Sequence, residues 1–182
     1  MKSLFKPRLT LTLLTVLLVS LPVYLSASSL PWVKLPVQKY ESSEFKVSIQ
    51  FPGEYEESIK EKTGDDDKIT RTLRVTCKYS GNSYTLNVTK HPITFTDTKS
   101  LAQTSLTSFT NALKGELISQ ETYTQNGNDG LDATIYLSES DRYVHYRVIL
   151  IDRFQYQLVI IDKKSSLSDD ADDFMSSFKM KN

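Results

Sequence analysis

Residues 142–162 read RYVHYRVILIDRFQYQLVIID, and the way this stretch folds back on itself decides the architecture. Val144, Tyr146, Val148 and Leu150 alternate on one face of a first strand, while Tyr156, Leu158 and Ile160 alternate on one face of a second. A period of two is the signature of extended chain with one buried side. A two-residue turn at Asp152-Arg153 pairs residue 151 with 154 and puts the two apolar sets on opposite faces. A three-residue loop pairs 151 with 155 and unites them, so burial predicts the three-residue loop. The opposite face then carries Tyr143, His145, Arg147, Gln155 and Gln157 together with Ile149, Ile151, Val159 and Ile161, which is too apolar to stand fully in water. Something must cover part of it.

The predicted cover is the C-terminal stretch. Ser168 can cap a helix whose first turns hold Asp169, Asp170, Asp172 and Asp173, favourable at the positive end of the helix dipole, with Lys179 near the other end. Ala171, Phe174, Met175 and Phe178 recur at i, i+3, i+4 and i+7 and form a short apolar stripe.

Upstream of the hairpin, Leu131, Ala133, Ile135 and Leu137 alternate after a turn at Asn126-Gly127-Asn128-Asp129-Gly130, and Glu116 to Thr124 is a poorly patterned strand. Asp97 can accept from the free N–H groups of a helix over residues 98–114, in which Ala102, Leu106, Phe109 and Leu113 share a face and Gly115 closes the C-terminus with a positive φ. Ile69 to Tyr79 and Tyr84 to Val88 form a hairpin through Ser80-Gly81-Asn82-Ser83. Phe45, Val47, Ile49 and Phe51 alternate up to Pro52-Gly53, and a charged stretch containing Asp65, Asp66 and Asp67 follows. The order β-β-β-α-β-β-β-β-α predicts an α+β fold, an antiparallel sheet of about seven strands with two helices packed on it.

The run Phe45-Lys46-Val47-Ser48-Ile49-Gln50-Phe51-Pro52, the central helix, the long Tyr/Val/Ile hairpin and the closing Asp173-Phe174-Met175-Ser176-Ser177-Phe178-Lys179 resemble exported bacterial proteins of uncharacterised function. The element order is similar to the PsbP-like α/β/α sandwich, the fold of the photosystem II extrinsic protein P. The resemblance spans roughly residues 44–180 and rests on core-packing motifs. It implies a fold and an accessory or binding role, and no reaction.

The N-terminus reads as an address. Lys2, Lys6 and Arg8 precede an uncharged run from Leu9 to Leu25, the n-region and h-region of a secretory signal. As a helix that run is roughly 25 Å long against a hydrocarbon core of ~30 Å, which favours cleavage over spanning. Small residues at Ser26, Ala27 and Ser28 put the mature start near Ser29, the alternative being a retained anchor. The expected organisation is a signal peptide over 1–28, a proline-containing linker or arm over 29–43 that can dock through Trp32, and one domain over 44–182. The expected destination is periplasmic or extracellular, with membrane contact only in transit through the leader.

Composition excludes several classes of partner and chemistry. Beyond residue 28 the chain has 19 basic against 22 acidic side chains, which is no footprint for nucleic acid. The single Cys77 allows no internal disulfide and no cysteine-rich zinc cage, and it falls in phase with Leu73, Val75 and Tyr79, which predicts a buried structural thiol. G-x-S-x-G, a Gly-rich phosphate loop and H-E-x-x-H are all missing from the sequence. Asp65, Asp66 and Asp67 point alternately in extended chain and read as a solvated run. The turn at 126–130 fails as a calcium loop, because the phase that places Gly130 correctly puts Gln125, Gly127 and Tyr136 where oxygen ligands are needed. Asn87-Val88-Thr89 is a glycosylation sequon by chance. No cofactor and no metal are expected.

One candidate ligand face remains. Tyr143, His145 and Arg147 share a strand face, where a base beside a cation and a phenol can orient an anionic ligand; a packed sheet histidine under a helix is the simpler reading. His91, before Pro92, reads as a solvated loop residue. The functional expectation is an exported, non-enzymatic accessory or binding domain for a protein, an envelope component or a small ligand, using the helix-poor face of the sheet or the arm. The alternative is a secreted or periplasmic hydrolase built on Tyr143, His145 and Arg147.

Overall fold

The computed structural model describes residues 36–64 and 67–181. The predicted leader, Trp32, Asp65 and Asp66 lie outside them. In chain order the elements are β1 (Gln38–Ser42), β2 (Val47–Phe51), β3 (Tyr55–Thr63), β4 (Ile69–Tyr79), β5 (Asn82–Lys90), α1 (Thr98–Ala112), β6 (Glu116–Gln125), β7 (Asn128–Leu137), β8 (Arg142–Ile151), β9 (Phe154–Asp162), α2 (Asp169–Ser177) and β10 (Lys179–Met180). A seven-stranded antiparallel sheet runs β3-β4-β5-β9-β8-β7-β6, and a small sheet runs β1-β2-β10. Among the described residues no helix is long and apolar enough to cross a membrane.

The predicted α+β class, the seven-stranded sheet and the two helices are present, but one of the seven strands is a different one. The well-patterned Phe45–Phe51 segment belongs to the small sheet, and β3 takes the seventh place in the large one. β3 reads YEESIKEKT and is exposed along nearly its whole length. It is an edge strand, where charged side chains guard unpaired N–H and C=O groups and no apolar alternation is needed. Of the stretch read as an arm, Gln38–Ser42 is β1, paired with β2 from Gln38↔Phe51 to Ser42↔Val47.

The predicted three-residue loop is corrected by the structure. Ile151 pairs with Phe154, so Asp152-Arg153 is a two-residue turn, with Asp152 at φ 54°. The two apolar sets therefore do lie on opposite faces. The premise that failed was a single core: the sheet is covered on both sides. On one face Ile149, Phe154, Tyr156, Leu158 and Ile160 pack with the small sheet and α2. On the other, Val144, Tyr146, Val148, Leu150 and Val159 pack with Ala102 and Leu106 of α1. Each set has its own partner, and burial then imposes no common face.

The turn chemistry at the two other hairpins with two-residue turns, β4–β5 and β6–β7, follows the residues. Ser80-Gly81 and Asn126-Gly127 both take positive φ at both central positions, the twist that suits two-residue hairpins. At α1, Asp97 caps as predicted, its Oδ1 accepting from Ser100 N at 3.0 Å. The C-terminus differs: Lys114 takes the left-handed φ of 51°. Gly115 is required for space instead, since a Cβ there would meet Ile135 Cγ2 at 2.4 Å. Ser168 sits at the N-cap of α2, where its carbonyl accepts from Ala171 N and Asp172 N at 2.9 Å, but its hydroxyl makes no cap bond. After α2, Phe178 is fully buried and β10 returns to pair with β2, so Lys179 lies in a strand and not in the helix's last turn.

Candidate functional site

The predicted face is built by three neighbouring strands. β7 and β8 are joined by four residues, which places Thr134 across from His145 and Asp132 across from Arg147. β6 then sets Ser119 beside Thr134 and Glu121 beside Asp132. α2 and the segment leading into it close over this corner, so the last helix covers the His145 face as its apolar stripe predicted. A cleft of about 180 Å³ remains, lined by Glu121, Asp132, His145, Arg147, Ser165 and Leu167 among others.

Arg147 is the centre of that corner. Its Nε donates to Asp132 Oδ1 and its Nη2 to Asp132 Oδ2, both at 2.7 Å, a two-pronged pair. Its Nη1 donates to the Met175 carbonyl of α2 at 2.9 Å. The guanidinium also lies over the Tyr123 ring, 3.6 Å from the centroid. Burial by itself would lower its pKa, and the Asp132 carboxylate more than reverses that, so the charge is held. Arg147 thus pins α2 to the sheet.

His145 is 5% exposed. Its Nε2 lies 3.2 Å from the Lys164 carbonyl oxygen, which can only accept, so the ring hydrogen sits on Nε2. Burial lowers its pKa, with the Lys164 carbonyl and the Asp162 charge opposing, so the neutral ring is favoured. Asp162 is itself buried and shapes the segment that His145 meets: Oδ1 accepts from Lys163 N at 2.6 Å and from Lys164 N at 3.2 Å, and Oδ2 accepts from Asn82 Nδ2 at 3.0 Å. This chain of bonds positions a backbone turn.

Tyr143 does not join the cleft. Its ring packs against Tyr136 at 5.1 Å, and Tyr136 donates to Asp141. The structure therefore brings His145 and Arg147 together, leaves Tyr143 apart, and adds Asp132, Tyr123 and Asp162, which the sequence reading did not single out. The signal for Asp132 was positional: across a four-residue connection it falls opposite Arg147. Cys77 is buried as predicted, and burial raises its thiol pKa, which keeps it protonated. His91 is half-buried rather than solvated: its ring lies edge-to-face with Phe95 at 5.0 Å with Nε2 3.4 Å from Gln155 Oε1, and its backbone N–H donates to the Arg153 carbonyl at 2.8 Å. Among the described residues no group of three or more His, Cys, Asp or Glu is placed to hold a metal ion.

Comparison with known proteins bears on the fold. No family model matches the sequence, and no curated protein is similar to it. The chain is similar in structure to cyanobacterial PsbP (CyanoP) from Synechocystis sp. PCC 6803, with a TM-score of 0.53 and 11% identity over 86% of this chain and 98% of that one. It is also similar to a protein from Bacteroides thetaiotaomicron, with a TM-score of 0.42 and 10% identity over 80% of this chain and 48% of that one. Two helices on a large antiparallel sheet, aligned over nearly all of the cyanobacterial protein, give this chain a PsbP-like α+β fold.

Proposed function

We propose that this chain is an exported, non-catalytic accessory domain that meets a protein or envelope partner with the part of its large sheet that neither described helix covers. The carrying observation is the asymmetric placement of the helices. α2 lies on one face, and on the other α1 packs over β7 and β8. On α1's side, β4 and β5 present Thr72, Arg74, Thr76, Thr85, Asn87 and Thr89, all exposed or half-buried. These residues are ordered among themselves: Thr72 and Thr89 hydroxyls meet at 3.3 Å, and Arg74 Nε donates to Asn87 Oδ1 at 2.9 Å. A polar surface whose side chains are already paired before contact lowers the entropy cost of association. Export rests on the basic, uncharged and small-residue pattern of residues 1–28.

The hydrolase alternative has less support, because Arg147 is fully engaged by Asp132 and Met175 and Tyr143 stands outside the cleft. Affinity capture from the host envelope tests the proposal, with the chain and its Arg74→Glu variant as baits. One stoichiometric partner held by the parent and lost by the variant supports it. A partner held equally by both removes the uncovered part of the sheet, and ester or amide turnover abolished by His145→Ala returns the hydrolase.

A further inference from the structure

The large sheet ends in two edge strands of opposite character. β3 holds five charged residues among nine, Lys60 and Lys62 included, the usual guard against an incoming strand. β6 holds two among ten, Glu116 and Glu121, and neither lysine nor proline. It is exposed along most of its length, with Leu117 43% and Ile118 52% exposed. Its one blunting device is the bulge between Leu117 and Ser119, which leaves residues 119–125 as regular strand. Among the described residues only β7 pairs with β6.

The turn at the end of β6 sets the direction of its backbone groups. Asn126-Gly127 is a two-residue turn with Gln125 opposite Asn128, and the residues flanking such a turn exchange both of their backbone bonds. Alternation then points the N–H and C=O groups of Gln120, Thr122 and Thr124 away from β7, toward the open edge. Two copies related by a two-fold axis normal to the sheet keep α1 on the same side, so facing side chains come from positions an even number apart. With Thr122 on the axis, Thr122 faces its own copy, Gln120 faces Thr124, and all three outward residues are engaged. Glu121 then faces Tyr123, and Ser119 faces Gln125. Moving the axis to Glu121 or to Tyr123 leaves one outward residue unpaired, and the first move also sets carboxylate against carboxylate. Since α1 packs over β7 and β8, the two helices stand ~19 Å apart at strand spacings of ~4.8 Å, clear of the 8–10 Å of packed helices.

We propose that β6 pairs antiparallel with β6 of a second copy of this chain, joining two seven-stranded sheets into one with Thr122 on the two-fold axis. A second copy fits this edge better than a foreign strand, because the edge is its own complement in the register that engages every outward residue. The guarded β3 then stops growth beyond two copies. The dimer is independent of the sheet surface at β4 and β5. Sedimentation equilibrium of the full chain over a range of concentrations tests it, with twice the monomer mass expected at the upper end. Thr122 is exposed, so Thr122→Lys and Thr122→Glu should keep the parent's circular dichroism. Each sets like charges face to face and is expected to raise the dimer dissociation constant about tenfold or more. An equal mixture of the two variants should regain the dimer, because only this register places residue 122 opposite itself. Arg74→Glu should leave the mass unchanged. A monomer at every concentration, a dimer undiminished in Thr122→Lys, or a mixture of the two charge variants that stays monomeric would each overturn the proposal.

Discussion

At the scale of the residue, His145 and Arg147 show how a sheet face with the composition of a ligand site becomes a structural joint. The His145 ring is buried and its pKa is lowered from the ordinary value near 6.5. The sign follows from linkage: as pH falls through the unfolded value, the unfolded chain takes up the proton first, so stability falls below about pH 6.5 and levels off only once the folded form also titrates. Urea midpoints at pH 7.5 and 5.5 should show this loss, and His145→Gln should flatten it; an unchanged slope would mean that the ring is not desolvated. Asp132→Ala leaves the Arg147 charge, with its side chain 11% exposed, without its carboxylate. The expected cost is about 3 kcal/mol, at the lower end for a buried pair because Asp132 itself is 25% exposed. The double change Asp132→Ala with Arg147→Met should be milder than the single one, since it removes the orphaned charge. A double variant worse than the single would mean that the orphaned charge is not what makes Asp132→Ala costly and that Arg147 stabilises through the Met175 carbonyl and the Tyr123 ring.

At the scale of the element, α2 and the short strand after it close the fold by inserting aromatic rings into one core. Phe174 packs on Phe51 at 5.1 Å, and Phe178 on Tyr156 at 5.6 Å. Phe178→Ala should cost about 3 kcal/mol or more through the cavity it leaves, read as a lowered denaturation midpoint; an unchanged midpoint would mean that the tail does not dock. The junction of α1 and β6 is set by contact rather than by turn preference. Gly115→Ala puts a methyl against the buried Ile135 and is expected to cost about 1–3 kcal/mol by overpacking. A neutral Gly115→Ala would indicate that the helix end shifts freely. The two glycines at hairpin tips differ in kind, because a Cβ at Gly81 or Gly127 meets nothing, and only their positive φ restricts substitution.

At the scale of the whole molecule, one sheet serves as a wall for two apolar cores, and that arrangement separates what was legible in the chain from what was not. Mass spectrometry of the form recovered outside the cytoplasm should find an N-terminus within a few residues of Ser29, and intact Met1 on membrane-bound protein would sink the export reading. Local pattern located, to within about three residues at their ends, the strands at Val47–Phe51, Ile69–Tyr79, Asn82–Lys90, Asn128–Leu137, Arg142–Ile151 and Phe154–Asp162, although Asn82-Ser83 and residues 128–130 had read as turn, and it located both helices, the Asp97 cap and the buried Cys77, because period, capping and turn residues act within a few positions of chain. Pattern also placed His145 and Arg147 on one face beneath the last helix. Only the tertiary structure decided the Asp152-Arg153 register, since a two-residue turn is costly against one core and natural between two. It alone decided that β3 is an edge strand, that Phe45–Phe51 leaves the main sheet for a small one, and that Asp132 satisfies Arg147. Those outcomes depend on which faces meet across the fold, and alternation along a strand tells which residues share a side but not what lies against it.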